Sequence, residues 1–324
     1  MAVSTVSYTN TPQAGDDYFS ISEDQTGIIK LDVMSNDLGG KAKTLYSVDD
    51  GVNLSDLLQK DTRSYTGLDG GWELSANGNW IRINNGMIEF KFGGTCYDYL
   101  AEGVKATDSF KYAIQLGNGT ISYATVNLTF VGTNDLATIT VNSDFNVTEA
   151  GGVNNSVKHD PDAGGTVTVS DADTGQSKLQ NADQGTHAGK YGTFTITEST
   201  SKPGVYTWKY ELDNGLEATQ ALQEGELAYD TLTLTSVDGK TTQDIKVTIN
   251  GTNDAATFSG SLSGSASETN AAVTITGTAS ASDVDNAAGF QAQTLTGTNG
   301  SLSIDAAGAW TFTANSAFDS LNVG

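Results

Sequence analysis

The sequence predicts an all-β chain of tandem Greek-key β-sandwich modules, the last one truncated. Three observations predict it. Apolar residues alternate with a period of two, turn dipeptides recur roughly every 8–12 residues, and the chain repeats itself at a fixed offset.

The alternation is clear in TVTVS (166–170), TFTIT (193–197), YTWKYEL (206–212), TLTLTS (231–236) and DIKVTIN (244–250). Successive side chains of a strand point to opposite faces, so each run offers one apolar and one polar face. Thr, Val, Ile and aromatic residues dominate, as a pleated, half-buried surface requires. About seven such strands in ~110 residues is the pattern of a β-sandwich. The one segment that reads as helix is 52–60.

The repeat fixes the module boundaries. YLAEGVKATDSFKYAIQLGNGTISYATVNLTFVGTND ends at Asp135, and ALQEGELAYDTLTLTSVDGKTTQDIKVTINGTND ends at Asp254. The Asn134–Asp135 and Asn253–Asp254 pairs lie 119 residues apart, and so do Glu149 and Glu268. We therefore expect a flexible leader over 1–14, a divergent first module over 15–135, a second over 136–254 and an incomplete third over 255–324. The third copy stops level with 221–225 of the second, so its last two strands are missing and it should be the least regular part.

With 16 basic and 39 acidic residues in 324, the net charge is −23. That excludes nucleic acid, which needs a basic patch, and disfavours an anionic membrane surface. No apolar run is long enough for a membrane helix. Crowded carboxylates favour hard divalent cations with oxygen ligands. Cys96 is the single cysteine, so no intrachain disulfide exists, and it reads as a small buried hydrophobe. The start, MAVSTVSYTNTPQAGDD, has neither the basic nor the apolar region of a secretory signal, so for an exported protein the address is expected elsewhere, or the chain is an excerpt.

SDADTG, GKYGTFTI, YTWKYELDN, ALQEGE, YDTLTLT and INGTND identify the second copy as resembling a VCBS repeat, a module strung in tandem in large bacterial surface proteins of the adhesin and RTX-exported type. The third copy resembles the same family as far as it runs. The first module, through DDYFSISED and LDVMSNDL, is similar to bacterial cadherin-like repeats, and the sandwich is expected to be immunoglobulin- or cadherin-like. It departs from them after Asn36–Asp37, where LGGKAK replaces further aspartates and withdraws ligands from that loop.

Three recurring acidic features are candidate calcium ligands. They are Asp171/Asp173 and Asp283/Asp285 at a strand end, the linker pairs Asn134/Asp135 and Asn253/Asp254, and the glutamates Glu23, Glu149 and Glu268 after each first strand. Calcium takes six to eight oxygens at ~2.3–2.6 Å, which such a set approaches. The resemblance implies ions at module junctions. The alternative is that these Asp and Asn residues only form turns. Asp108 and Asp230, expected just before the penultimate strand, read as ligands or as hydrogen-bonded turn caps. Trp72 and Trp80 in GGWELSANGNW read as a sugar-stacking pair or as core fillers.

Enzyme signatures are absent. There is no EF-hand loop, no Walker loop and no nucleophile elbow, and His159 and His187 stand alone. Asp160–Pro161 is an acid-labile bond without supporting context. The expectation is a non-enzymatic extender or adhesion segment of a secreted or cell-surface bacterial protein, stiffened by calcium, its partners being neighbouring modules of the chain and a surface glycan or protein. The alternative is that the first module itself binds a carbohydrate or cell-surface ligand.

Overall fold

The computed structural model describes residues 13–49, 54–61, 71–93, 97–267 and 271–315. Most of the expected leader, Cys96 and Glu268 lie outside them. The chain forms two compact units. Unit one runs to Ala137 and includes the loop Asp171–Ser177; unit two holds Thr138–Ser170 and everything from Lys178. All modules are all-β, as the alternation requires.

In unit one the elements are β1 (Asp17–Ser22), β2 (Ile29–Leu31), β3 (Thr44–Asp49), α1 (Leu54–Leu57), β4 (Glu73–Leu74), β5 (Trp80–Asn84), β6 (Met87–Lys91), β7 (Lys105–Gln115) and β8 (Ile121–Val131). They build two sheets, β1–β8–β7–β3 and β2–β6–β5–β4. The expected helix over 52–60 is a single turn. The first strand pairs parallel with the last, Asp17 opposite Val126 through Ser22 opposite Val131. This parallel closure brings the residue after β1 to the residues after β8. The core is aromatic. Phe130 lies 4.5 Å from Tyr97 and 5.8 Å from Phe90 between ring centres, with Ile81, Ile88, Phe110 and Val126 buried around them. Gln13 and Ala14, placed by sequence in the leader, both donate their N–H to Ser122 Oγ at 3.0 Å.

In unit two the second module has β9 (Thr138–Asp144), β10 (Asn146–Thr148), β11 (Asp162–Ser170), β12 (Gly185–Ala188), β13 (Gly192–Glu198), β14 (Val205–Leu212), α2 (Glu217–Gln220), β15 (Leu227–Thr235) and β16 (Thr242–Asn250). A five-stranded sheet, β12–β13–β14–β11–β9, faces a three-stranded one, β10–β16–β15. Trp208, Tyr206, Tyr210 and Phe194 of the first and Leu234, Ile245, Val247 and Ile249 of the second are all buried.

The third module has β17 (Thr257–Gly260), β18 (Thr274–Ser282), β19 (Gln293–Gly297), β20 (Gly300–Ile304) and β21 (Ala309–Ala314). Its sheet order, β17–β18–β21–β20–β19, repeats the five-stranded order of module two strand for strand. Among the described residues it has no second sheet.

Candidate metal centres at the module ends

In unit two, β10 pairs parallel with β16, Thr148 opposite Asn250. Glu149 follows β10 directly and is fully buried. Its Oε2 accepts the Thr252 N–H at 3.2 Å, and its Oε1 accepts Gln220 Nε2 at 3.3 Å. Asn253 folds back, donating Nδ2 to the Asp254 carbonyl at 2.7 Å. The Asp254 N–H reaches Asp285 Oδ2 at 3.1 Å. Both side-chain oxygens of Asp254 and Oδ1 of Asp285 are buried without a hydrogen-bond partner. A buried carboxylate oxygen with no donor is costly unless something positive reaches it.

Unit one carries the same wiring. Glu23 Oε1 accepts the Thr133 N–H at 2.6 Å. Asn134 Nδ2 donates to the Asp135 carbonyl at 2.6 Å, and the Asp135 N–H donates to Asp173 Oδ2 at 3.1 Å. Glu23 Oε2 and Asp171 Oδ2 are buried without a partner. The two sites thus match residue for residue: Glu23 with Glu149, Thr133 with Thr252, Asn134–Asp135 with Asn253–Asp254, and Asp171/Asp173 with Asp283/Asp285.

One expectation is corrected in detail. The Asp-x-Asp pairs stand in the turn that follows β11 and β18, not on the strands. Asp171 Oδ1 accepts the Asp173 N–H at 2.9 Å, and Asp283 Oδ1 accepts the Asn286 N–H at 3.0 Å. Each first aspartate therefore uses one oxygen for the turn, as the simple turn reading holds; at Asp171 the other oxygen is left over.

Electrostatics set these carboxylates against one another. Glu149 is pushed up from 4.5 to about 7, first by burial and then by Asp254 and Asp285. Burial, then Asp285 and Asp283, raises Asp254. Burial, then Asp135, Asp173 and Asp24, raises Glu23, while the Thr133 N–H opposes the shift. Asp135 is raised by burial and then by Asp24, Asp98 and Asp171. Asp24 and Asp98 were not singled out in the sequence, because they lie off the repeat's matched positions.

The donor set is hard oxygen throughout, several of its oxygens are buried and unsatisfied, and its members repel. That set fits a hard dication. The carboxylates are not drawn together. Among the described residues, the one trio with oxygens all within 4.8 Å is Asp49, Asp56 and Glu73. That trio comes from β3, α1 and β4, so no local sequence pattern announces it.

A pH dependence follows for metal-free protein. A carboxyl whose folded pKa is raised favours folding when protonated. The contribution of Glu149 is complete below about 4.5 and lost as pH rises through about 7. Asp17, held at about 6 by burial and, less strongly, by Asp37, Asp16 and Asp32, adds the same trend in unit one. In chelator, lowering the pH from about 7.5 to 5 should stabilise the protein by about 2 kcal/mol for Glu149. Thermal melts check this; a melting point that falls over that range would contradict it.

The remaining candidates separate cleanly. Asp108 lies within β7 and Asp230 within β15, and both are buried. Asp108 accepts the Asn77 N–H at 3.0 Å, Asn79 Nδ2 at 2.7 Å and the Ser75 hydroxyl. Asp230 accepts the Lys190 N–H at 2.9 Å, the Tyr191 N–H at 2.9 Å and the Tyr210 hydroxyl at 2.7 Å. Both are hydrogen-bonded caps, the second of the two readings. His187 Nε2 lies 3.1 Å from the Asp183 carbonyl. Trp72 and Trp80 are half-buried and do not belong to the core cluster. Arg82 and Lys91 stand over the Trp72 ring at 4.3 and 4.4 Å.

No protein-family model matches the chain, and no curated protein matches it in sequence. Among solved structures, protocadherin gamma B2 extracellular cadherin domains 3–6 align at a TM-score of 0.37 and 13% identity, over 94% of this chain and 65% of that one. Human CDH23 EC21–23 aligns at 0.33 and 12%, over 94% and 90%. Domains 4 and 5 of the S-layer protein SbsC align at 0.24 and 15%, over 67% and 74%. The sandwich architecture is given by the strand order and register of the chain itself.

Proposed function

We propose that this chain is a non-enzymatic extender and adhesion segment of a secreted or cell-surface bacterial protein, its module junctions stiffened by calcium. The observation that carries this reading is the identical wiring of Glu23–Thr133–Asp135–Asp173 and Glu149–Thr252–Asp254–Asp285, each with buried oxygens that lack a donor. Glu23 and Glu149 are anchored by a backbone N–H, so they are held in place before an ion arrives. Asp135 and Asp254 are aimed by their N–H bonds to the aspartate of the following turn. A bound calcium supplies the positive charge that lets these carboxylates stay ionised side by side. Without it their repulsion opposes the ordering of the linker.

Small-angle scattering tests this. Millimolar calcium should lengthen the maximum dimension of the chelator-treated chain and narrow its spread of conformations. An unchanged scattering profile would remove the calcium part of the reading.

A second reading attaches to Trp72 and Trp80. They lie outside the core, as a sugar-stacking pair must, and the Lys91 cation over Trp72 suits an acidic sugar, Arg82 being paired with Glu89. A glycan array with the chain and with Trp72→Ala/Trp80→Ala checks it. Binding of acidic glycans lost at least about tenfold in the variant would support it; an array blank for both proteins would not.

A further inference from the structure

The start of the first module repeats part of the junction wiring with different residues. Asp32 follows β2 as Asp171 follows β11. Its Oδ1 accepts the Met34 N–H at 3.3 Å, as Asp171 Oδ1 accepts the Asp173 N–H at 2.9 Å. Met34 therefore stands where the other turn has its second aspartate. The Gly15 N–H goes instead to Asp37 Oδ1 at 2.8 Å. Asp17 and Asp37 are each only 7% exposed, and Oδ2 of each is buried without a hydrogen-bond partner.

Acceptors outnumber hydrogens around this pair. The buried Tyr112 hydroxyl lies 2.9 Å from Asp37 Oδ1, 3.0 Å from the Gly15 carbonyl and 3.1 Å from the Val33 carbonyl. Asp17 faces the same hydroxyl. Burial and Asp37 push this phenol far above its ordinary range, so it keeps its one hydrogen and satisfies one acceptor. The charges bearing on Asp17 are those of Asp37, Asp16 and Asp32, all negative. Lys43 donates to the Met34 and Asp37 carbonyls, and both Oδ2 atoms are left without a donor. Two buried carboxylates without a counter-charge are costly.

We propose that Asp17 Oδ2, Asp37 Oδ2 and the Val33 carbonyl hold one hard dication of the calcium class, at a site separate from the two junction centres. Two carboxylates balance a double charge, and water completes the six to eight oxygens such an ion takes. The ion ties the chain entering β1 to the β2–β3 loop, and so fastens an edge strand of the β1–β8–β7–β3 sheet. The site does not depend on the junction reading, since none of its ligands belongs to the Glu23 or Glu149 sets.

The test uses the full chain with its junctions silenced by Glu23→Gln, Asp254→Asn and Asp285→Asn. In about 1–10 mM calcium it should retain one ion. Amides of residues 15–19 and 33–37 should exchange at least about tenfold more slowly than in chelator. Adding Asp17→Asn should remove both effects, while exchange of β7 and β8 in chelator shows that the module still folds. The slowing is read on the silenced chain itself, so the test survives if Asp17→Asn fails to fold. No slowing overturns the proposal, as does slowing undiminished by Asp17→Asn. Slowing by acid and not by calcium also overturns it, and makes the two carboxyls a proton-sharing pair. A parent chain that responds here but not at its junctions leaves this site standing and removes the junction reading; the converse does the opposite.

Discussion

Replacing Asp230 by alanine is expected to destabilise the second module by about 3–5 kcal/mol, a large part of the ~5–15 kcal/mol that holds a domain folded. Its carboxylate accepts two backbone N–H groups, at Lys190 and Tyr191, and the buried Tyr210 hydroxyl. Burial and the carboxylate both push the Tyr210 phenol well above its ordinary range, so the phenol stays a donor. Removing the carboxylate strands the Tyr191 N–H and the Tyr210 hydroxyl in the interior, at about 1–3 kcal/mol each, while the Lys190 N–H, in an exposed residue, can turn to water. The packing leaves no substitute. A Cβ on Gly189 would lie 2.2 Å from Asp230 Oδ2, so the loop has been brought onto the carboxylate itself. Asp230→Asn keeps an acceptor and should cost roughly half as much. Hydrogen exchange of β13 and β14 reads the loss. It should be the same with and without calcium; a loss seen only in calcium would make Asp230 a ligand instead of a cap.

The second large effect is calcium itself. Extracellular calcium modules bind at about 0.1–1 mM, so about 10 mM calcium should add ~1.4–2.7 kcal/mol per site by mass action. For a domain of this size that is several degrees of melting temperature. Asp254→Asn with Asp285→Asn should abolish the gain in unit two and leave unit one responsive. Because Asp254 and Asp285 repel in the metal-free state, the same pair should melt higher than the parent in chelator. Added stability in chelator with lost stability in calcium is a sign reversal that simple damage to the fold does not produce.

Much of this was legible in the sequence. The period-two runs marked the long strands, and the repeat marked which glutamate and which Asn–Asp pair stand at equivalent places. Other features needed the fold. Asp108 and Asp230 look like loop aspartates in the sequence, yet their donors, Ser75 to Asn79 and Lys190 to Tyr210, lie far along the chain. Trp80 was open to a core reading because of its size, but its parity decides otherwise. Ile81 and Ile83 face one way along β5, and Trp80, Arg82 and Asn84 the other. In β14 the parity of Trp208 with Tyr206 and Tyr210 turns all three inward. The Asp-x-Asp pairs read as strand ends, and only the Asp173 and Asn286 N–H bonds reveal the turns. Asp24 reaches the first site through parallel closure of β1 on β8, a pairing that alternation alone does not specify.

The most direct test of the calcium-junction claim is bound-metal analysis of the whole chain. After equilibrium dialysis against about 1–10 mM calcium, each chain should retain at least two ions. Asp254→Asn/Asp285→Asn should lose those of unit two, and Glu23→Gln those held at Glu23. Calcium no higher than the dialysis buffer in the parent chain, or retention unchanged in both variants, would contradict it.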